Sequence, residues 1–281
     1  MGPSALRIAE IARGIRELGF EARDLGDIHV PIPEIIGEHD SRARFAAEIG
    51  EACSALFPLV RDSILAGHVP ISLGGDHSLA AGSIAGTSAA MRRIAKPFGV
   101  LWVDAHADMN TPETTPSGNV HGMPLASLLG KGPPELVGIG GFSPKLEPDR
   151  CAVVGLRNLD EREKQIVRDS GVHAYTMKDI DRRGIADVLD EVIGIVGRDG
   201  AALHVSFDMD GVDPGISPGV GTPVHGGLSY RESHLLMETV ADTHRLVALD
   251  VVEINPILDT RNSTARLAVE FVLSALGKNI L

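Results

Sequence analysis

Basic residues are scarce in this chain: 26 Lys and Arg stand against 38 Asp and Glu in 281 residues, a formal net charge of −12. No Lys/Arg-rich block offsets that balance, so a phosphate backbone would be repelled and nucleic acid is not an expected partner. Long apolar runs are missing too. None approaches the roughly 20 residues that span a bilayer, and the opening MGPSALRIAE lacks the basic-then-apolar layout of a secretory signal. The expectation is a soluble, cytoplasmic protein with no membrane partner. Cysteine is nearly absent: Cys53 and Cys151 lie far apart in apolar surroundings and read as buried reduced thiols, not as a disulfide framework or thiolate metal site. Aromatics make up only 4% while glycines number 32, which points to a core of Ala, Val, Leu and Ile. With 43% hydrophobic and 23% charged residues, disorder throughout is excluded. No internal repeat or low-complexity linker divides the chain.

Five short, nearly continuous apolar runs are present: VPISLG at 69–74, FGVLWVDAH at 98–106, CAVVGLR at 151–157, ALHVSFDMD at 202–210 and LVALDVVEINP at 246–256. Such runs suit parallel strands buried on both faces. Between them lie helical patterns, among them RARFAAEIGEACSALFPLVRDSILAG, REKQIVRDSGV, IADVLDEVIGIVG and SYRESHLLMETVAD. The β-α alternation predicts one domain over 1–281, a three-layer α/β/α fold with an open, mostly parallel sheet. Its ligands should gather outside the carboxyl ends of the strands.

Four of the runs end in acids or histidines. The first leads into Gly74-Gly75-Asp76-His77, the second into Asp104-Ala105-His106-Ala107-Asp108, the fourth into Asp208-Met209-Asp210, and the last ends at Glu253. Residues at spacing two share a face of an extended strand and can converge on one ion around a strand-end turn. A single DxHxD or DxD is equally a set of turn residues and caps. Four carboxylates gathered at adjacent strand ends, however, would raise one another's pKa values unless cations neutralised them. Mixed carboxylate and imidazole donors favour Mn²⁺, Zn²⁺ or Fe²⁺ over Mg²⁺ or Ca²⁺. His77, Asp104, His106, Asp108, Asp208 and Asp210 are enough donors for two ions about 3.5–4 Å apart with a solvent species between them as nucleophile.

SLGGDHS at 72–78, DAHADMNTPETTPSGNVHGMP at 104–124, SFDMDGVDPGISPGVGTP at 206–223 and EINP at 253–256 resemble the ureohydrolases, and arginases in particular. The resemblance runs in order from about Met1 to the C-terminus. It implies an arginase/deacetylase-like fold and a hydrolase of arginine metabolism that converts L-arginine to L-ornithine and urea with two Mn²⁺ per subunit. It implies one manganese on His77, Asp104, Asp108 and Asp208, and a second on His106, Asp104, Asp208 and Asp210. The resemblance further marks His121 as a proton-shuttling histidine and Glu253 as the carboxylate facing the guanidinium. Asn110, Ser117 and Asn119 match the amino-acid recognition loop, Asp160 the acid receiving the α-amino group, and Thr222 a threonine at the guanidinium end. Asn158 stands where several relatives carry aspartate. A homo-oligomer, trimeric or hexameric, is also implied.

This chemistry is physically coherent. The arginine side chain has a pKa above 12 and stays cationic, so an acidic pocket can hold it while its central carbon remains the electrophile. Two metals lower the pKa of water toward neutrality, Asp108 can relay a proton to the leaving amine, and His121 can exchange protons with solvent. Asp76 is expected to orient His77 by a hydrogen bond, and Asp213 with Pro214 to shape a turn. His29, His39, His68, His173, His204, His225, His234 and His244 lie outside the motifs and receive no role. The alternatives are an agmatinase or other guanidino hydrolase, a catalytically impaired arginine-binding homologue, and a deacetylase on the related fold, which would need a single metal.

Ureohydrolases ordinarily begin with an apolar strand and glycine-rich loop before the segment that here reads MGPSALR. The expectation is that this first strand is missing, through a start codon placed too late or a fold that has compensated. Pro3 near a helix start, with Leu6, Ile8, Ile11 and Ile15 on the following turns, predicts a first helix.

Overall fold

The computed structural model describes residues 1–37 and 40–279, so His39 lies outside the described residues. Uncharged aliphatic runs avoid water on both faces only inside a sheet covered by helices on either side. The strands are β1 (Ile71–Leu73), β2 (Phe98–Val103), β3 (Cys151–Leu156), β4 (His173–Thr176), β5 (Ala202–Asp208) and β6 (Leu246–Val252). They form one six-stranded sheet in the order β1-β6-β5-β2-β3-β4, with every neighbouring pair parallel. The predicted parallel α/β architecture is therefore present. β4 was not anticipated. It is a four-residue edge strand, HAYT, with only Tyr175 buried, so it lacks the apolar run that marks the others.

Side chains alternate across the sheet. Leu101, Val103, Val205 and Phe207 join one core with helices Ile185–Val196, Tyr230–Asp242 and Ser263–Ala275. Val100, Trp102 and Val153 point the other way, into a core shared with Ile84 of helix Ala80–Arg93 and with Leu125 and Leu128. The N-terminal segment is helical as expected, but in two pieces, Gly2–Ile8 and Ile11–Glu17, broken at Glu10 with φ 63°. Leu6 and Ile11 are buried, whereas Ile8, two residues after Leu6 and so on the opposite face of the same helix, is 75% exposed. Gly2 comes so close to the loop after β1 that a Cβ there would lie 2.3 Å from the Gly74 carbonyl oxygen. Among the described residues, no helix is long and apolar enough to cross a membrane.

The chain builds β2, β3 and β4 outward in one direction, then returns to lay β5 and β6 on the other side of β2. At that reversal Val103 of β2 pairs with Phe207 of β5, which sets Asp104 and Asp208, the next residue of each, side by side. A topological switch point of this kind opens a crevice at the carboxyl ends of the strands.

Candidate metal centre

The strand ends converge as the motif spacing predicts. His77 Nδ1 lies 3.1 Å from Asp104 Oδ2, 3.2 Å from Asp108 Oδ2 and 3.0 Å from Asp208 Oδ2. His106 Nδ1 lies 3.4 Å from Asp104 Oδ1 and 3.1 Å from Asp210 Oδ2. Asp104 thus turns one oxygen to each imidazole. Two donor groups result, His77 with Asp104 and Asp208, and His106 with Asp104 and Asp210.

Local backbone chemistry aims these carboxylates. After β2, Asp104 Oδ1 accepts the amide of His106 at 2.7 Å; after β5, Asp208 Oδ1 accepts the amide of Asp210 at 2.7 Å. Asp210 Oδ1 then accepts the amide of Ala105 at 3.2 Å, tying the two turns together. Gly155 is required beside them: at φ 104° its α-carbon sits where a Cβ would approach the Asp104 carbonyl to 3.0 Å. Asp108 and Glu253 adopt positive φ of 53° and 59°, a conformation strained for residues with a Cβ and concentrated at functional sites.

The electrostatics favour cations. Burial, and then the charge of Asp104, raise the Asp108 carboxyl well above its ordinary range; burial and then Asp210 do the same to Asp208. Burial also disfavours ionised Asp104, but hydrogen bonds from His106 and His77 outweigh it and hold that carboxyl low. For His77, burial opposes the charge while Asp104 and Asp108 carry the pKa to about 9; for His106, Asp104 and Asp210 carry it to about 12 against the same opposition. Protons on the two rings thus stand in for positive charge that the acids need. Oxygen and imidazole donors gathered this closely, with no thiolate among them, fit divalent ions of borderline hardness.

Glu253 and His121 flank this cluster. Glu253 Oε1 accepts the His77 amide at 3.1 Å and faces His121 Nδ1 at 3.0 Å, and that contact raises the histidine's pKa. Thr222 Oγ1 donates to Asp210 Oδ2 at 2.8 Å. Farther out, Asn110 Nδ2 donates to Asp160 Oδ2 at 2.8 Å, and the other Asp160 oxygen caps helix Glu161–Ser170 through the amides of Arg162 and Glu163. Ser117 and Asn119 are exposed at the rim. Of the residues predicted as metal ligands, catalytic groups or substrate contacts, all except the fully buried Asp104 line one cavity of about 210 Å³.

Two details differ from expectation. Asp76 does not touch the His77 ring; its carboxylate accepts the amide and hydroxyl of Ser78, capping the turn His77–Leu79. The outer nitrogen of His77, Nε2, is met instead by Ser206 Oγ at 2.9 Å. Asp213 does shape a turn, accepting the amides of Gly215, Gly226 and Gly227.

Sequence reasoning missed two residues. Glu163 lines the cavity, buried, accepting the Met109 amide at 3.0 Å, and burial pushes its carboxyl up to about 7. In sequence it is only another acid in the first turn of an amphipathic helix. Trp102, the one tryptophan, stacks on His77 with ring centroids 4.0 Å apart and an interplanar angle of 13°, and its Nε1 donates to Asp104 Oδ2 at 2.9 Å. Its place two residues before Asp104 in a strand was the available signal, since alternation puts the pair on one face.

Known proteins share this arrangement of strands. The family model described as "Arginase family" matches residues 1–277. The arginase of Bacillus caldovelox is 45% identical over 100% of this chain and 93% of its own length, and its solved structure superposes with a TM-score of 0.95. The Brevibacillus brevis arginase is 44% identical, again over 100% of this chain and 93% of its own. An Entamoeba histolytica arginase solved in complex with L-ornithine is 33% identical, with a TM-score of 0.85 over 99% of this chain and 91% of that one. A match that begins at the first residue, carries every strand of the sheet and extends through the last helix leaves one assignment: the chain belongs to the arginase family.

Proposed function

We propose that the protein is an arginase, hydrolysing L-arginine to L-ornithine and urea at two manganese ions. The observation that carries this reading is the division of Asp104 between two imidazoles, one carboxylate oxygen toward His77 and the other toward His106. His77, Asp104, Asp108 and Asp208 would hold one ion, and His106, Asp104, Asp208 and Asp210 the other. When bound, a pair of dications supplies hydroxide at neutral pH.

The chain's own groups do the rest. Glu253, buried and accepting from the His77 amide, offers its carboxylate to the guanidinium, which stays cationic because its pKa is above 12. Thr222 keeps Asp210 oriented beside it. At the rim Asn110, Ser117, Asn119 and Asp160 take the α-carboxylate and α-amino group, fixing the far end so that the guanidinium carbon is held in place for attack. Collapse of the tetrahedral intermediate requires a proton on the leaving amine. Asp108, whose buried carboxyl is raised well above its ordinary range, is suited to carry one there. His121, part exposed and paired with Glu253, exchanges protons between the site and solvent.

Manganese-loaded protein should release urea from L-arginine and leave agmatine, which lacks the α-carboxylate, almost untouched. Rapid turnover of agmatine with arginine inert would overturn the substrate assignment. One domain, read from the β-α alternation, a cytoplasmic location, read from the opening residues and the lack of a long apolar run, and a trimeric or hexameric assembly, implied by the family resemblance, belong to the same reading; cell fractionation and sedimentation velocity test the last two.

A further inference from the structure

β6 carries an acid where its neighbours in sequence, LVALDVV, are all apolar. Asp250 is fully buried in the middle of the sheet, in register with Ser72 of β1 and Ser206 of β5. Its Oδ2 accepts from Ser83 Oγ at 2.6 Å, His204 Nε2 at 2.9 Å and Ser206 Oγ at 3.2 Å. Thr87 Oγ1 meets the other nitrogen of His204 at 2.8 Å. Burial works against a charge here, but His204 and Ser83 outweigh it and hold the carboxyl below its ordinary range. Asp250 is therefore an acceptor with no proton to give.

That polarity propagates. Ser206 spends its single hydroxyl hydrogen on Asp250, so toward His77 Nε2, 2.9 Å away, it can only accept. A metal-bound imidazole is neutral, and the one proton of a neutral His77 ring is thereby placed on Nε2, leaving the lone pair on Nδ1, the nitrogen that faces Asp104, Asp108 and Asp208. With a neutral group at position 250 the serine hydroxyl is free to turn and donate to Nε2, and the ring can then carry its proton on Nδ1, where it cannot ligate a cation. We propose that Asp250, acting through Ser206, is a positioning residue that selects the metal-binding tautomer of His77. This rests on the reading of His77 as a metal ligand. It also gives a use to a buried carboxylate that an apolar residue would replace at lower desolvation cost.

The alternative is that the cluster only fastens helix Ala80–Arg93 to the sheet through Ser83 and Thr87, and the two roles respond differently to substitution. Mn²⁺ titration of the full chain, followed by quenching of the single Trp102 stacked on His77 and by metal content after gel filtration, separates them. Asp250→Asn and Ser206→Ala should each weaken Mn²⁺ binding about 10–100-fold, the range found for partners behind metal-bound histidines. At saturating Mn²⁺ their KM for arginine should match wild type. Thr87→Val cuts the network on the side away from His77; it should lower the Tm and leave Mn²⁺ affinity unchanged. Wild-type affinity in a folded Asp250→Asn or Ser206→Ala protein overturns the proposal, as does equal weakening in Thr87→Val. Wild-type protein that takes up no Mn²⁺ would instead remove the metal reading beneath it.

Discussion

The two histidines of the centre carry the same donor atom at the end of parallel strands, yet they are built into the protein differently. His77 is 1% exposed, stacked on Trp102 and backed by Ser206 from inside the sheet. His106 is 24% exposed at the side chain, and its outer nitrogen is 3.5 Å from the exposed amide of Asn158. One ring is held by the fold's interior and the other by a loop in contact with water. Ligand chemistry therefore comes from the residue type, while rigidity comes from what lies behind it.

Asp104→Ala tests what the two halves share. Because this carboxylate faces both rings, its loss should remove bound Mn²⁺ from both and take urea production to background. A variant retaining one tightly bound ion and measurable turnover would show the halves to be independent. His77→Ala and His106→Ala probe the contrast itself in metal-free protein. The first empties a buried space beside Trp102 and removes one of the two hydrogen bonds of the Ser206 hydroxyl, costing on the order of 2–4 kcal/mol. The second should cost less, since part of that side chain already meets solvent and water can reach the acids it leaves. Equal losses in thermal denaturation would erase the distinction.

A smaller, pH-dependent effect belongs to Glu163. Its folded pKa of about 7 lies above the ordinary 4.5, so between those values the folded state holds a proton that the unfolded state has released. The associated stabilisation is complete below pH 4.5 and lost as pH rises through 7. Glu163→Gln keeps an acceptor for the Met109 amide without the charge. Its Tm should gain on wild type from pH 5 to pH 8, and a difference that does not change with pH would contradict the buried-carboxyl account.

The contiguous motifs were legible because they occupy turns directly after apolar strands, where a run of sequence neighbours is also a run of spatial neighbours. Asp104-x-His106-x-Asp108 and Asp208-x-Asp210 needed only alternation and a strand end. Asp76 misled for the same reason. It is adjacent to His77 in sequence, but the 3₁₀ turn His77–Leu79 directs its carboxylate to Ser78. β4 escaped notice because an edge strand half open to water needs no continuous apolar pattern. Asp250 and His204 were invisible as a pair: they lie 46 residues apart, and each looks like an interruption in an otherwise apolar strand.

Residue order alone was sufficient for the parallel α/β class, the helix at the N-terminus and the identity of the clustered acids and imidazoles, because these depend on local periodicity and on chemistry carried by each side chain. Which oxygen of Asp104 faces which ring, which group stands behind His77, and how far Glu163 is cut off from water depended on strand order and register. Those are long-range pairings set by packing of the whole sheet, and no window of neighbouring residues encodes them.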